Sequence, residues 1–153
     1  MRPLLIGAGV LLGGAGAFVF LRRRFVVVTV SGPSMEPTLA HGDRLLVRRR
    51  PAPPARPGDI VVLQPPPDDL DWDALPRRTG TRGPWNIKRV AAGPGDPVPA
   101  SAAEACGLDA GAPVPAGRYV VVGDGAVSYD SREWGLLPAD RILGVLRRRL
   151  AAR

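Results

Sequence analysis

Residues 25–39 read Phe-Val-Val-Val-Thr-Val-Ser-Gly-Pro-Ser-Met-Glu-Pro-Thr-Leu. From Phe25 to Val30 the run is continuous, apolar and mostly β-branched, which predicts a strand. It leads straight into a loop in which Ser34 stands between Pro33 and Pro37, two residues after Gly32. Proline fixes φ and glycine lets backbone approach closely, so the loop reads as rigid and presents one hydroxyl. Taken alone, such a loop is more often an ordinary turn than a nucleophile site.

The same strand-then-turn grammar recurs outward from this stretch. Leu45 to Val47 and Ile60 to Leu63 read as short strands, each preceded by a Gly-Asp turn at 42–43 and 58–59. Asn86 to Ala92 and Arg118 to Val122 read as further strands. Ile142 to Leu146 reads as the last one, followed by a basic tail from Arg147. Residues 51–57 and 65–84 read as loops, and 97–117 as proline-dotted coil. Gly 19 and Pro 18 make up about a quarter of the 153 residues, against roughly 12% in average usage. That argues against a helical bundle and for short strands joined by many turns. The expected class is mainly β, with a core of Val, Leu, Ile and Ala because aromatic content is only 5%.

Before this β region, Pro3 to Leu21 carries no charge over 19 residues. A helix of that length reaches about 28 Å at 1.5 Å per residue, close to the roughly 30 Å hydrocarbon core. Arg22-Arg23-Arg24 follows it where a cleaved signal peptide would need small residues. The reading is an uncleaved anchor at 1–24 and a soluble domain at 25–153. Gly9 and Gly13 form a small-xxx-small pair, a weak hint of helix pairing.

Composition narrows the chemistry. The chain has 21 Lys+Arg, of which Lys88 is the single lysine, and one histidine (His41) and one cysteine (Cys106). One His and one Cys cannot build a multi-histidine or thiolate metal site or an internal disulfide. No metal and no cofactor is expected. His41 sits in the turn His41-Gly42-Asp43 and reads as an exposed turn residue. The net charge of +7 suits anionic lipid; no nucleic-acid recognition motif accompanies it. Lys88 lies in Asn86-Ile87-Lys88-Arg89-Val90, where alternation puts Asn86, Lys88 and Val90 on one face and Ile87 and Arg89 on the other. A lysine partly buried there is pushed toward the neutral amine, which can accept a proton from a hydroxyl. Read by this segment alone, an exposed, salt-bridged strand lysine is the commoner case. A third segment, 123–135, is rich in hydroxyl, carboxylate and guanidinium groups. In it Asp130 and Arg132 are placed to pair, and Ser128 or Ser131 to hydrogen-bond an amine.

Four segments, in order, resemble the boxes of the type I signal peptidases, membrane-anchored Ser/Lys proteases: SGPSMEPTL (31–39), RPGDIVVL (56–63), IKRVAAGPGD (87–96) and GRYVVVGDGAVSYDSREWGLLP (117–138). The resemblance is to a small, actinobacterial-like form. It implies an antiparallel signal-peptidase-like β-fold behind one transmembrane helix, and removal of signal peptides from secreted preproteins after a small-x-small motif. By position, Ser34 resembles the nucleophile, Lys88 the general base, and Ser128 the serine that holds the amine. Asp130 and Arg132 resemble a supporting ion pair, and Met35 a pocket residue for the small side chain before the scissile bond. The chain departs from the family at Gly32, where some members carry a serine that completes the oxyanion hole. Here a backbone donor, water or Ser31 would substitute. It also departs at Gly125, which replaces an asparagine in a loop one residue short of the usual length.

The implied partners are preproteins and the lipid bilayer, and the implied place is the bacterial cell membrane, single-pass, with the catalytic domain outside the cytoplasm. The charge balance points the other way: Arg22–Arg24 after the span outweigh Arg2 before it, which favours a cytoplasmic domain. A domain facing inward would suit the alternative reading, a maturation protease that trims the leader of one precursor, as in nickel superoxide dismutase. A self-cleaving repressor shares the Ser/Lys dyad but needs a DNA-binding helix-turn-helix where this chain has its apolar run. A basic, membrane-tethered binding module, with Ser34 and Lys88 incidental, is the non-enzymatic rival.

Overall fold

The structure is a computed structural model that describes residues 24–49, 54–68, 71–76 and 84–150. The apolar run at 3–21 lies outside the described residues, and so do Arg22 and Arg23. Among the described residues no helix is long and apolar enough to cross a membrane.

Seven strands form one antiparallel sheet: β1 (Phe25–Thr29), β2 (Arg44–Arg49), β3 (Ile60–Leu63), β4 (Asn86–Ala92), β5 (Arg118–Val122), β6 (Leu137–Pro138) and β7 (Ile142–Leu150). Their order across the sheet is β1-β2-β7-β3-β4-β5-β6. The chain is thus mainly antiparallel β, as the strand-and-turn pattern implies. Strand β3 is central, and all four of its residues are buried. It shows how the core divides: Val62 packs with Val26, Met35, Leu39, Leu45, Val47 and Ile87, while Val61 and Leu63 pack with Val90, Tyr119, Val121 and Trp134. A strand buried on both faces needs no polar alternation, which is why Ile60–Leu63 reads as a continuous apolar run.

Two expectations need correction. The last strand does not stop at Leu146. It continues through the basic residues to Leu150, pairing Leu46 with Arg148, Leu45 with Arg149 and Arg44 with Leu150. A register shift between Leu46 and Val47 accommodates the extra residue. Backbone pairing with β2 holds this stretch, and Arg149 is further tied to the buried Asp43 carboxylate at 2.8 Å. The apolar signal fades at Leu146 although the ladder does not. Residues 97–117 are likewise more than coil. Pro97 bridges Pro113, and a helical turn spans Ala103–Cys106. Val98, Ala102, Ala103 and Val114 form a third apolar cluster against Ala92 and Val120. The residues are too small and the turn too short to show a helical period in the sequence. Cys106 accordingly lies on that turn, packed against this cluster, and not in a surface loop. Burial pushes its thiol pKa up.

Candidate active site

Strand β1 ends at Thr29, and the chain turns through residues 31–40 before β2. Gly32 has φ +90°, a left-handed conformation that favours glycine. The Glu36-Pro37 peptide is cis. Met35 is fully buried in the first cluster, and the Leu39 N–H donates to the Met35 carbonyl at 2.8 Å. One side of the loop is thus pinned in the core, while Ser34 remains half-buried at its tip. His41 is exposed, and its Nδ1 lies 3.4 Å from the Gly32 N–H.

Lys88 is carried by β4 opposite Val61 of β3 and is only 3% exposed. Its Nζ donates to Ser128 Oγ at 2.7 Å, and Ser128 Oγ donates in turn to Asp130 Oδ2 at 2.7 Å. Desolvation lowers the Lys88 pKa, opposed by the charges of Asp130 and Glu133 and helped by Arg132. The geometry explains that balance: a neutral hydroxyl stands between the amine and the carboxylate, so the amine is oriented without a carboxylate in direct contact to fix its charge.

Asp130 is the hub. It is fully buried and accepts from the Gly123 N–H at 2.8 Å and from Arg132 Nε at 2.9 Å. An Arg132 terminal nitrogen donates to Oδ2 at 2.7 Å. It also caps the helical turn Ser131–Trp134 through a capping box with Glu133. Burial pushes its carboxyl pKa up, but the hydrogen bonds from Arg132, Gly123 and Ser128 prevail and hold it at about 2, below the ordinary 3.8. A depressed folded-state pKa means the stabilisation is present above 3.8 and is lost as pH falls through about 2. The shift corresponds to about 2 kcal/mol. Wild type should therefore lose thermal stability steeply between pH 4 and pH 2 (about two units). Asp130→Asn should start from a lower melting temperature at neutral pH and lose less across that window. An identical acid limb for the two, measured by circular dichroism melts, would remove Asp130 from this role.

A second clasp joins the same loops. Arg89, next to Lys88, pairs with Asp124 through two hydrogen bonds at 2.9 and 2.5 Å. It also reaches the Gly58 carbonyl at 2.9 Å and, at 3.5 Å, Thr38 Oγ1 in the Ser34 loop. The Gly125 N–H donates to the Ser34 carbonyl at 2.9 Å. Backbone packing there is tight: a methyl at Gly123 would sit 2.1 Å from Ser128 Oγ and 2.5 Å from the Ser34 carbonyl oxygen. These contacts bring the Ser34 loop, the Lys88 strand and the 123–135 segment to one place. Among the described residues, no group of three or more His, Cys, Asp or Glu could hold a metal ion.

The sequence pattern of the family described as "Signal peptidase, peptidase S26" matches this chain over residues 5–106 and 100–151. The chain belongs to that family. Among curated signal peptidases, "Signal peptidase I" of Leptolyngbya laminosa is 32% identical over 136 residues, covering 75% of this chain and 63% of the relative. "Probable signal peptidase I-2" of Synechocystis sp. (strain ATCC 27184 / PCC 6803 / Kazusa) is 33% identical over 135 residues, covering 75% of this chain and 58% of the relative. The matched stretch thus spans less than two thirds of either relative's length.

Against this signal-peptidase background, the named residues fall into two groups. Lys88, Ser128, Asp130 and Arg132 are linked by direct hydrogen bonds. Of the others, Ser34 meets that segment through the Gly125 N–H bond to its carbonyl, while Met35 packs in the first core cluster and the Gly32 N–H faces His41. Of the two serines able to hold an amine, Ser128 takes Lys88, while Ser131 is buried and its Oγ accepts the Val121 N–H at 3.0 Å. Sequence reasoning missed the Arg89–Asp124–Thr38 clasp. Its only signal was the position of Arg89 beside Lys88 and of Asp124 in the polar turn.

Proposed function

We propose that the chain is a serine endopeptidase with a Ser34/Lys88 dyad that removes signal peptides from secreted preproteins after a small-x-small motif. The observation that carries this reading is the Lys88 amine: buried, pushed toward neutrality by desolvation, and held at 2.7 Å by a serine hydroxyl beside the Ser34 loop. Ser34 Oγ attacks the scissile carbonyl carbon while its proton passes to Lys88 Nζ. The Ser34 N–H donates to the oxyanion. The intermediate collapses as the ammonium returns the proton to the leaving nitrogen, and the C–N bond breaks to leave an ester on Ser34. Water then attacks that ester with Lys88 again as base. Ser128 orients the amine, and Asp130 with Arg132 fixes Ser128. Met35, buried under the Ser34 loop, would form the floor beneath the small side chain before the scissile bond. Gly32 offers no hydroxyl to the oxyanion, so the second donor is water, a backbone N–H or Ser31. The apolar run at 3–21 would anchor the 25–153 domain in the cell membrane as a single pass, with the domain outside the cytoplasm where signal sequences emerge.

Proteoliposomes carrying the full chain and a preprotein test this directly. Wild type should release the mature protein and Ser34→Ala should not; undiminished processing by Ser34→Ala sinks the dyad. A wild type that is inert on preproteins yet trims a leader-bearing cytoplasmic precursor would instead support the maturation protease, which the Arg22–Arg24 bias favours.

The burial of Lys88 also sets a pH dependence. Its pKa lies below the ordinary 10.5, and only the neutral amine accepts the proton. The kcat/KM of cleavage should therefore rise with pH along an acid limb whose midpoint falls below 10.5 and reports this group in the free enzyme. A profile flat from acid to alkaline pH would contradict it.

A further inference from the structure

The loop that presents Ser128 also displays two side chains that the proposed mechanism leaves unused. Among the described residues three large apolar side chains are exposed: Val27 (44%), Val127 (80%) and Tyr129 (56%). Two of the three flank Ser128. Their exposure is built in. Ser128 and Asp130 point inward to Lys88 and Arg132, and Val127 and Tyr129, on either side of Ser128, are left facing out. The loop has no freedom to fold them away. Gly123 is bonded to Asp130, Asp124 to Arg89 and Gly125 to the Ser34 carbonyl. Polar residues would satisfy that geometry equally well, and the nearby groups (Arg89, Asp124, Arg132 and Glu133) are all charged. Two apolar side chains fixed on the rim of a polar site are a contact surface in search of an apolar neighbour.

We infer that Val127 and Tyr129 contact the substrate residues just after the scissile bond and set a preference for apolar side chains there. The inference rests on the Ser34/Lys88 reading. In that reaction the leaving nitrogen must come within hydrogen-bond reach of Lys88 Nζ to receive its proton. Nζ is held 2.7 Å from Ser128 Oγ, so the chain that follows the leaving nitrogen passes the residues on either side of Ser128.

The test uses the detergent-solubilised full chain and two peptides, identical up to the scissile bond. One continues with leucine and valine, the other with aspartate and serine. Wild type should favour the apolar peptide by about 10-fold in kcat/KM. The double variant Val127→Ser, Tyr129→Ser should cut that preference to about 2-fold, mostly through KM, with the acid limb of the pH profile unmoved. Val127→Leu should retain the preference. A wild type without preference, or a preference unchanged in the double variant, overturns the inference. So does an equal loss on both peptides, which marks a merely structural role. An effect seen only when lipid vesicles are added assigns the two side chains to the bilayer and also overturns it. A wild type that cleaves neither peptide sinks the peptidase reading itself, and this inference with it.

Discussion

Replacing Lys88 with methionine should abolish cleavage while leaving the fold intact. Removing the base of a nucleophile-base pair typically costs about 10⁴-fold or more in kcat, and no second lysine exists in the chain to substitute. The structural cost should be small. Lys88 is almost fully buried, and methionine of similar length fills that space without a charge to desolvate. Ser128 keeps its bond to Asp130 and loses only the donor to its lone pair. The expected result is a melting temperature at or above that of wild type together with activity at background. Lys88→Arg should be as inactive, because a guanidinium stays protonated and cannot serve as base. Preprotein cleavage alongside a thermal melt checks both halves. A Lys88→Met enzyme retaining a tenth of wild-type activity would remove Lys88 from the mechanism.

Gly125→Ala should give the second large loss, by a different route. A methyl there would lie 2.4 Å from the Pro33 carbonyl oxygen, 3.1 Å from the Ser34 carbonyl carbon and 3.2 Å from Ser34 Cα. All three are backbone atoms, so the strain cannot be relieved by a side chain swinging aside. The Ser34 loop must move, and a displacement near 1 Å costs about 10²-fold in rate, with about 1–3 kcal/mol of stability. The fall should appear in kcat, while the acid limb of the pH profile keeps its midpoint, because Lys88 and Ser128 are not the groups displaced. A shifted limb would place the damage at the amine instead.

How much of this was legible in the sequence follows physical lines. Ile60–Leu63, Asn86–Ala92 and Arg118–Val122 are the strands predicted, residue for residue; in the first and third the burial is written in continuous Val and Ile, and in the second in the alternation around Ile87 and Val90 and the closing Gly-Pro-Gly turn. The second half of β7 was not legible. Arg147 to Arg149 look like a solvated tail, and what holds them is backbone pairing and Asp43, more than a hundred positions earlier. The helical turn at Ala103–Cys106 was hidden by small residues with no periodic signal. At the site, Ser34 and Lys88 stood out only through four segments taken in order, since each segment alone reads as an ordinary turn or strand, whereas the choice between Ser128 and Ser131 needed the direction of each side chain. The Arg89 clasp needed contacts across 35 and 51 residues, which no local pattern encodes.

The strand order has a consequence for the timing of activity in the cell. In the hydrogen-bonded ladder, strands β1 and β2, which lead into and out of the Ser34 loop, are joined to β3 and β4 only through β7, which lies between β2 and β3. β7 leaves the ribosome after every other strand of the sheet. A nascent chain can therefore carry Ser34 and Lys88 while the ladder between their strands is still open. The ladder that joins the strands of the Ser34 loop to the Lys88 strand would close only once β7 has been made.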